Sequence, residues 1–299
     1  MKRPQQIISF VASFFVVGMG LVSMAQAAEP VIDRTQKLET VREDFGLADG
    51  PAWDGKGSLY VPDVKGKSLY RYWPKQDKWV KFLPDSGRIS ASYYSNGKLY
   101  LSDNGNSRIA VLREKEVKSV FTHDPKAKPA ARPNDLVVDQ QGGVYYTLTG
   151  PGEVRYIAAV QGTAKDATSI VVGKVKTPNG IILSPDEKTL YVSAYVPKEI
   201  WAFPVESAGK LGPGKLFAMM DDGPEKGADG MSIDRAGNVY CCGAKDVWIW
   251  NSKGKLLDKL KTPTRPINCT FGDDNLQSLY ITGFGGLYRQ KMNTCGCTP

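Results

Sequence analysis

Gly57-Ser58-Leu59-Tyr60, Gly97-Lys98-Leu99-Tyr100, Gly142-Gly143-Val144-Tyr145, Lys188-Thr189-Leu190-Tyr191, Gly237-Asn238-Val239-Tyr240 and Gln277-Ser278-Leu279-Tyr280 are six versions of one phrase. Each is a turn, a small or polar residue, an aliphatic residue and a tyrosine, and the tyrosines lie 40, 45, 46, 49 and 40 residues apart. A period of that length, built of short strands and turns, is the signature of β-propeller blades. The same order of runs recurs around each tyrosine. The most apolar run precedes it, as in Leu136-Val137-Val138 and Ile181-Ile182-Leu183, which suits a strand covered on both faces. An alternating run follows, such as Leu69-Tyr70-Arg71-Tyr72 or Val247-Trp248-Ile249-Trp250, and most units then add a more polar run such as Val117-Lys118-Ser119-Val120-Phe121. No long 3.6-residue periodicity competes. The pattern predicts an all-β chain, a six-bladed β-propeller with four-stranded blades.

The last unit runs to Pro299 without a clear outer strand, while Leu38-Glu39-Thr40-Val41-Arg42 precedes the first unit with no partner. The expectation is that this N-terminal strand completes the last blade and closes the ring, leaving only short, protected edges. Residues 28–299 are then one propeller domain, a length that all-β domains can reach.

Residues 1–27 read as a leader. Lys2 and Arg3 are followed by an uncharged stretch from Ile7 to Met24 and by Ala25-Gln26-Ala27, the order of a secretory signal peptide cleaved after Ala27. An uncleaved anchor is the alternative, and the small-x-small site argues for cleavage. The mature chain is expected to be exported, periplasmic or secreted, with no stable membrane insertion. Composition agrees: of 299 residues 41% are hydrophobic and 23% charged, ordinary for a soluble globular chain and unlike a coiled coil or a disordered tail.

The formal net charge is +8. The densest basic group, Lys65, Lys67, Arg71, Lys75, Lys78 and Lys81, is interleaved with Tyr70, Tyr72, Trp73 and Trp79. That alternation describes a strand with one wet face better than a nucleic-acid patch, so no nucleic-acid partner is expected. Five cysteines leave at least one unpaired. Cys241 and Cys242 are strand neighbours pointing to opposite faces, Cys269 sits in an apolar run, and Cys295-Gly296-Cys297 is near the end, so the pairing stays open. The oligomeric state is open as well. The single histidine, His123, is read as a surface loop residue. One histidine argues against a Ser-His-Asp triad and rules out a histidine-rich zinc site.

Counting 11 or 12 residues upstream of the repeated tyrosines reaches Asp49, Asn134, Asn179, Asp229 and Asn268, and only the second unit fails, with Ile89. These positions open the innermost strands, whose ends ring the mouth of the central channel, so residues far apart in sequence converge. Two carboxylates and several amide oxygens are ligands for a hard divalent cation, and without one the carboxylates would repel each other. Asp-Gly and Asn-Gly are also ordinary turn pairs, a reading that explains one or two positions better than five.

The residues also match a family. Leu47-Ala48-Asp49-Gly50-Pro51-Ala52-Trp53, Arg132-Pro133-Asn134-Asp135, Pro178-Asn179-Gly180 and Asp229-Gly230-Met231-Ser232-Ile233-Asp234 resemble the gluconolactonase/regucalcin (senescence marker protein) superfamily, as does Asn268-Cys269-Thr270-Phe271-Gly272. The resemblance covers nearly the whole chain after the leader. It implies a six-bladed propeller holding one divalent cation, calcium first, with zinc or manganese as alternatives, and hydrolysis of a small-molecule lactone or sugar-derived substrate. It further implies Asp49, Asn179 and Asp229 as metal ligands, Asn134 as a substrate or water contact, Arg132 as a substrate-binding arginine and Asp229 as general base. Asp49 stands where the family typically has Glu, one methylene longer. Leu136 and Ala194 also depart from the pattern at positions where members carry Gly and Asp. A non-catalytic propeller that binds a sugar or protein partner, or an enzyme resembling strictosidine synthase, are the alternative readings.

Overall fold

The computed structural model describes Met1 and residues 30–159, 168–173 and 175–298. The leader reading for residues 1–27 lies outside these residues, Met1 apart. Six antiparallel sheets follow one another around a channel. In chain order they begin with the inner strands Ala52–Trp53, Ile89–Ser95, Pro133–Val138, Pro178–Leu183, Met231–Ile233 and Pro266–Gly272. We number the blades 1 to 6 in that order. Each blade then steps outward strand by strand, as in blade 2 through Lys98–Asp103, Arg108–Arg113 and Glu116–Thr122. Among the described residues the only helical elements are single 3-10 turns at Pro74–Gln76 and Asn104–Asn106.

The ring closes as the sequence predicts. Glu39–Arg42 is the outermost strand of blade 6 and pairs antiparallel with Leu287–Lys291, Glu39 opposite Arg289. Arg289 reinforces the closure by donating from Nε and Nη2 to Glu39 Oε2 at 2.9 and 2.6 Å.

The tyrosine repeat is what packs blade on blade. All six tyrosines are buried, and each lies in a cluster shared with the next blade. Tyr60 of blade 1 meets Ile89, Leu99 and Leu101 of blade 2, and Tyr280 of blade 6 meets Trp53, Leu59 and Val61 of blade 1. The core is therefore a set of inter-blade layers, each giving roughly 25 cal/mol per Å² of apolar surface removed from water. All five cysteines are free thiols. His123, expected at the surface, is instead buried. Its Nε2 is 3.0 Å from the Tyr146 hydroxyl, and burial pushes the imidazole down to about 4, so it is neutral at pH 7 and packs blade 2 against blade 3.

Candidate functional site

The innermost strands do not begin regularly. In blade 3 Pro133 pairs with Leu148 and Leu136 with Tyr146, so Asn134 and Asp135 together oppose the single residue Thr147, a bulge of one extra residue. Blade 4 repeats this with Pro178 opposite Ala194 and Ile181 opposite Val192, bulging Asn179 and Gly180. Bulges re-aim side chains. Here they turn the first residues of the strand toward the channel.

Buried hydroxyls on the second strands hold the bulges in place. Thr147 Oγ1 donates to the Asn179 carbonyl of the next blade at 2.6 Å and accepts the Asp135 amide at 3.1 Å. Ser193 Oγ donates to the Asp229 carbonyl and accepts the Gly180 amide, both at 2.7 Å. Each hydroxyl ties one blade's bulge to the next blade's strand, so the positions of Asn179 and Asp229 are set by backbone contacts on both sides.

Register sorts the channel residues into two layers. Aligned through the pairs Ala52 with Tyr60, Tyr93 with Tyr100, Val137 with Tyr145, Ile182 with Tyr191, Ser232 with Tyr240 and Thr270 with Tyr280, the upper layer is Asp49, Ser90, Asn134, Asn179, Asp229 and Ile267. The next layer is Gly50, Ala91, Asp135, Gly180, Gly230 and Asn268. Asn268, placed by tyrosine spacing in the same ring as Asp49, thus lies one step deeper, with Asp135. From opposite blades Asn268 Nδ2 donates to Asp135 Oδ2 at 3.3 Å across the channel. The deeper layer has room for those two side chains and no more. A Cβ on Gly230 would overlap the Asn268 amide, and one on Gly180 would overlap the Asp229 carbonyl. Neither glycine has a positive φ. The Asn-Gly and Asp-Gly pairs therefore reflect crowding at the channel rather than turn geometry.

The structure brings three carboxylates together. Burial, then the neighbouring Asp229 carboxylate, pushes the Asp49 carboxyl well above the usual range, with Asp135 adding to it. Burial pushes Asp135 up to about 7 against donation from the Leu136 amide and Asn268. Burial likewise pushes Asp229 up to about 7, opposed by the Arg265 guanidinium and raised further by Asp135. The Asn179 amide faces Asp229, and the Asn268 amide also reaches Asp49. Asn134 is half-buried at the same layer as Asp49, and Arg132 is exposed on the rim.

Arg265 and Asp135 are members of the site that the sequence reading did not assign. Arg265 Nη2 donates to Asp229 Oδ2 at 3.1 Å, and its guanidinium lies 5.2 Å from the Tyr195 ring centre. A signal was present: Arg265-Pro266 repeats Arg132-Pro133 at the same register of the opposite blade. Asp135 stands beside Asn134 in the same bulge. Below the two layers the channel encloses about 90 Å³, room for a few waters, lined by Trp53, Tyr93, Met231, Phe271 and, at the far end, Cys297. Gly296 bridges to Asp234, which brings Cys297 and Thr298 to the channel lining.

A divalent cation fits this donor set by chemistry. The three carboxylates, Asp135 and Asp229 buried and Asp49 half-buried, have among the described residues one cationic contact between them, the Arg265 guanidinium on Asp229, and the available oxygens are hard ones. Among the described residues no group of three or more His, Cys, Asp or Glu could hold an ion by itself. A cation would therefore depend on Asp49, Asp229 and the Asn179 amide oxygen together.

The family model for the SMP-30/Gluconolactonase/LRE-like region matches residues 47–284. The chain belongs to that family. Within it, the chain is 26% identical over 305 aligned residues to a gluconolactonase of Zymomonas mobilis, covering 90% of this chain and 85% of the relative. Its fold is that of a gluconolactonase from Xanthomonas campestris, with a TM-score of 0.76 at 24% identity over 88% of this chain and 94% of the other. The calcium-binding protein regucalcin from Agrobacterium tumefaciens matches with a TM-score of 0.72 at 15% identity over 86% and 94% of the two chains. In this SMP-30/gluconolactonase-like propeller both residue layers lie inside the matched segment.

Proposed function

We propose that this chain is a lactone hydrolase that depends on a divalent cation held at Asp49, Asn179 and Asp229 and that works outside the cytoplasm. Family membership and the gluconolactonase relative support the hydrolase class. The observation that carries the reading is the convergence of Asp49 and Asp229 in the upper layer of the channel with Asp135 one step deeper, three carboxylates from three different blades whose repulsion raises Asp49 and Asp229. Carboxylates shifted by burial and by one another are the mark of a reaction site.

A cation bound there supplies polarisation of the lactone carbonyl and offsets the negative charge. The chain's own groups do the rest. Arg132 and Asn134 orient the lactone from the rim. Arg265 donates to Asp229 Oδ2 and so orients the carboxylate, which takes a proton from water. The water oxygen then bonds to the carbonyl carbon, the ring C–O bond breaks, and the proton passes to the departing alkoxide.

The test is turnover of simple lactones and aldonolactones by wild type and Asp229→Asn at saturating calcium, zinc and manganese. The substitution keeps an oxygen ligand and removes the base, so it should cost about 10²–10⁴-fold even when the cation saturates. Near-native turnover by the variant would remove Asp229 as base. Absence of lactone turnover by wild type under every cation would favour a non-catalytic binding propeller. Export is checked separately: intact mass of the exported protein should begin at Ala28, and a membrane fraction retaining residues 1–27 would overturn it.

A further inference from the structure

One residue outside the channel layers, a second pattern appears. Ile89, Pro133 and Pro266 share a register, pairing with Asp103, Leu148 and Gly283, and the residues just before them are Arg88, Arg132 and Arg265. Blades 1 and 4 carry Leu47 and Thr177 there, preceding Ala48 opposite Asp63 and Pro178 opposite Ala194. Three of six blades thus carry an arginine at the register position two residues before the upper layer, at the rim of the channel.

Rim acids do not neutralise this collar. Asp63 accepts the amides of Gly46, Leu47 and Gly66. Asp103 is taken by Arg108 and Asn106, and Asp222 by Lys198 and the Ala244 amide. Arg88 and Arg132 are exposed and form no ion pair among the described residues. Arg265 is the inner member: it spends one donor on Asp229, and its Nε is buried with no acceptor. A buried N–H left unpaired is costly, and a fork-shaped cation that retains free donors beside a reaction site is suited to a planar or tetrahedral anion. An uncharged lactone would gain little from such a rim, whereas an anionic one would be drawn in and oriented.

We propose that Arg88 and Arg265, with Arg132, select lactones carrying an anionic substituent, a carboxylate, sulfonate or phosphate, with Arg265 the contact nearest the reacting ring. This rests on the lactonase reading. Arg265 grips the anion while the carbonyl end faces Asp229, and Arg88 raises the rate of capture.

The test compares glucono-δ-lactone with a glucaric acid monolactone, which adds a carboxylate, in wild type, Arg265→Gln, Arg265→Lys and Arg88→Gln. Wild type should prefer the anionic lactone, and the preference should shrink as salt is raised. Arg265→Gln should lower kcat/KM on the anionic lactone about 10–100-fold, the worth of a charge-assisted hydrogen bond, and on the neutral one several-fold less. Lys at 265 should recover part of the preference. Arg88→Gln, an exposed change that leaves packing intact, should cost a few-fold on the anionic lactone alone. No wild-type preference, or variants that lower both lactones by one factor, would overturn the proposal and reduce Arg265 to a holder of Asp229. If neither lactone is turned over, the lactonase reading fails and calorimetry with glucarate against glucitol decides the collar. Glucarate binding that Arg265→Gln weakens supports it, and no glucarate binding overturns it.

Discussion

Replacing Asp135 by Asn removes a carboxyl while keeping its shape and its amide partner across the channel. In the fold, burial pushes this group up to about 7 from an ordinary 3.8. A carboxyl raised in this way favours the folded state only while it is protonated. The stability that its proton supplies is complete below the ordinary value and is lost as pH climbs to about 7. A rise from 3.8 to about 7 takes about 4 kcal/mol from the fold by pH 8. At pH 5 only the part between 3.8 and 5 has been lost, about 2 kcal/mol. In chelator, Asp135→Asn should therefore be more stable than wild type at pH 8, and the advantage should grow by about 2–3 kcal/mol between pH 5 and 8. For a domain of this size that is an increase of roughly 5–10 °C in the Tm difference. Thermal melts of both proteins at the two pH values, with EDTA present throughout, measure it. A Tm difference that does not change with pH, or a variant less stable at pH 8, would show that the fold does not hold this carboxylate against burial.

Other outcomes follow from the same contacts. Ser193→Ala leaves the Gly180 amide without its 2.7 Å acceptor inside the channel wall, which should cost about 1–3 kcal/mol in denaturant unfolding and slow any lactone turnover; an unchanged midpoint would free the bulge from this hydroxyl. Gly230→Ala forces a Cβ into the Asn268 amide, so it should destabilise by about 1–3 kcal/mol and reduce cation binding, and Asn268→Ala in the same chain should restore part of the stability. A mature chain starting after Thr40 loses half of the Glu39–Arg42 strand and the Glu39–Arg289 pair, exposing an edge, and should melt lower and aggregate more readily. Equal melting temperature and solubility would mean that the ring closes without it.

The blade architecture was legible because packing repeats it: a tyrosine from every blade fills the seam to the next, and no other residue type recurs so regularly. The upper layer was legible for the same reason, at Asp49, Asn134, Asn179 and Asp229. Asn268 was misplaced because counting back from the tyrosine crosses a hairpin of variable length. The tyrosine pairs with Tyr93 in blade 2, seven residues earlier, and with Thr270 in blade 6, ten residues earlier. A fixed offset therefore slid to Ile89 in blade 2, where the ring residue is Ser90, and to Asn268 in blade 6, where it is Ile267. Asp135 was hidden because a regular strand would point it away from the channel, and only the bulge turns it inward. Arg265 was hidden because its partner, Asp229, is 36 residues away on the preceding blade, a contact that only the packing of one blade against the next creates. His123 looked like loop because Asp124-Pro125 follows it, yet the seam between blades 2 and 3 encloses its ring.

Cation dependence of lactone hydrolysis is the central claim, and one titration tests it. Purified protein is stripped with chelator, assayed on glucono-δ-lactone, and then titrated with calcium, zinc or manganese while bound ion and Tm are followed. Activity should vanish on stripping and return at close to one ion per chain, with Tm rising in step because the ion binds only the folded ring. Full turnover by protein shown to be free of metal, or an ion that binds without restoring turnover, would contradict the account.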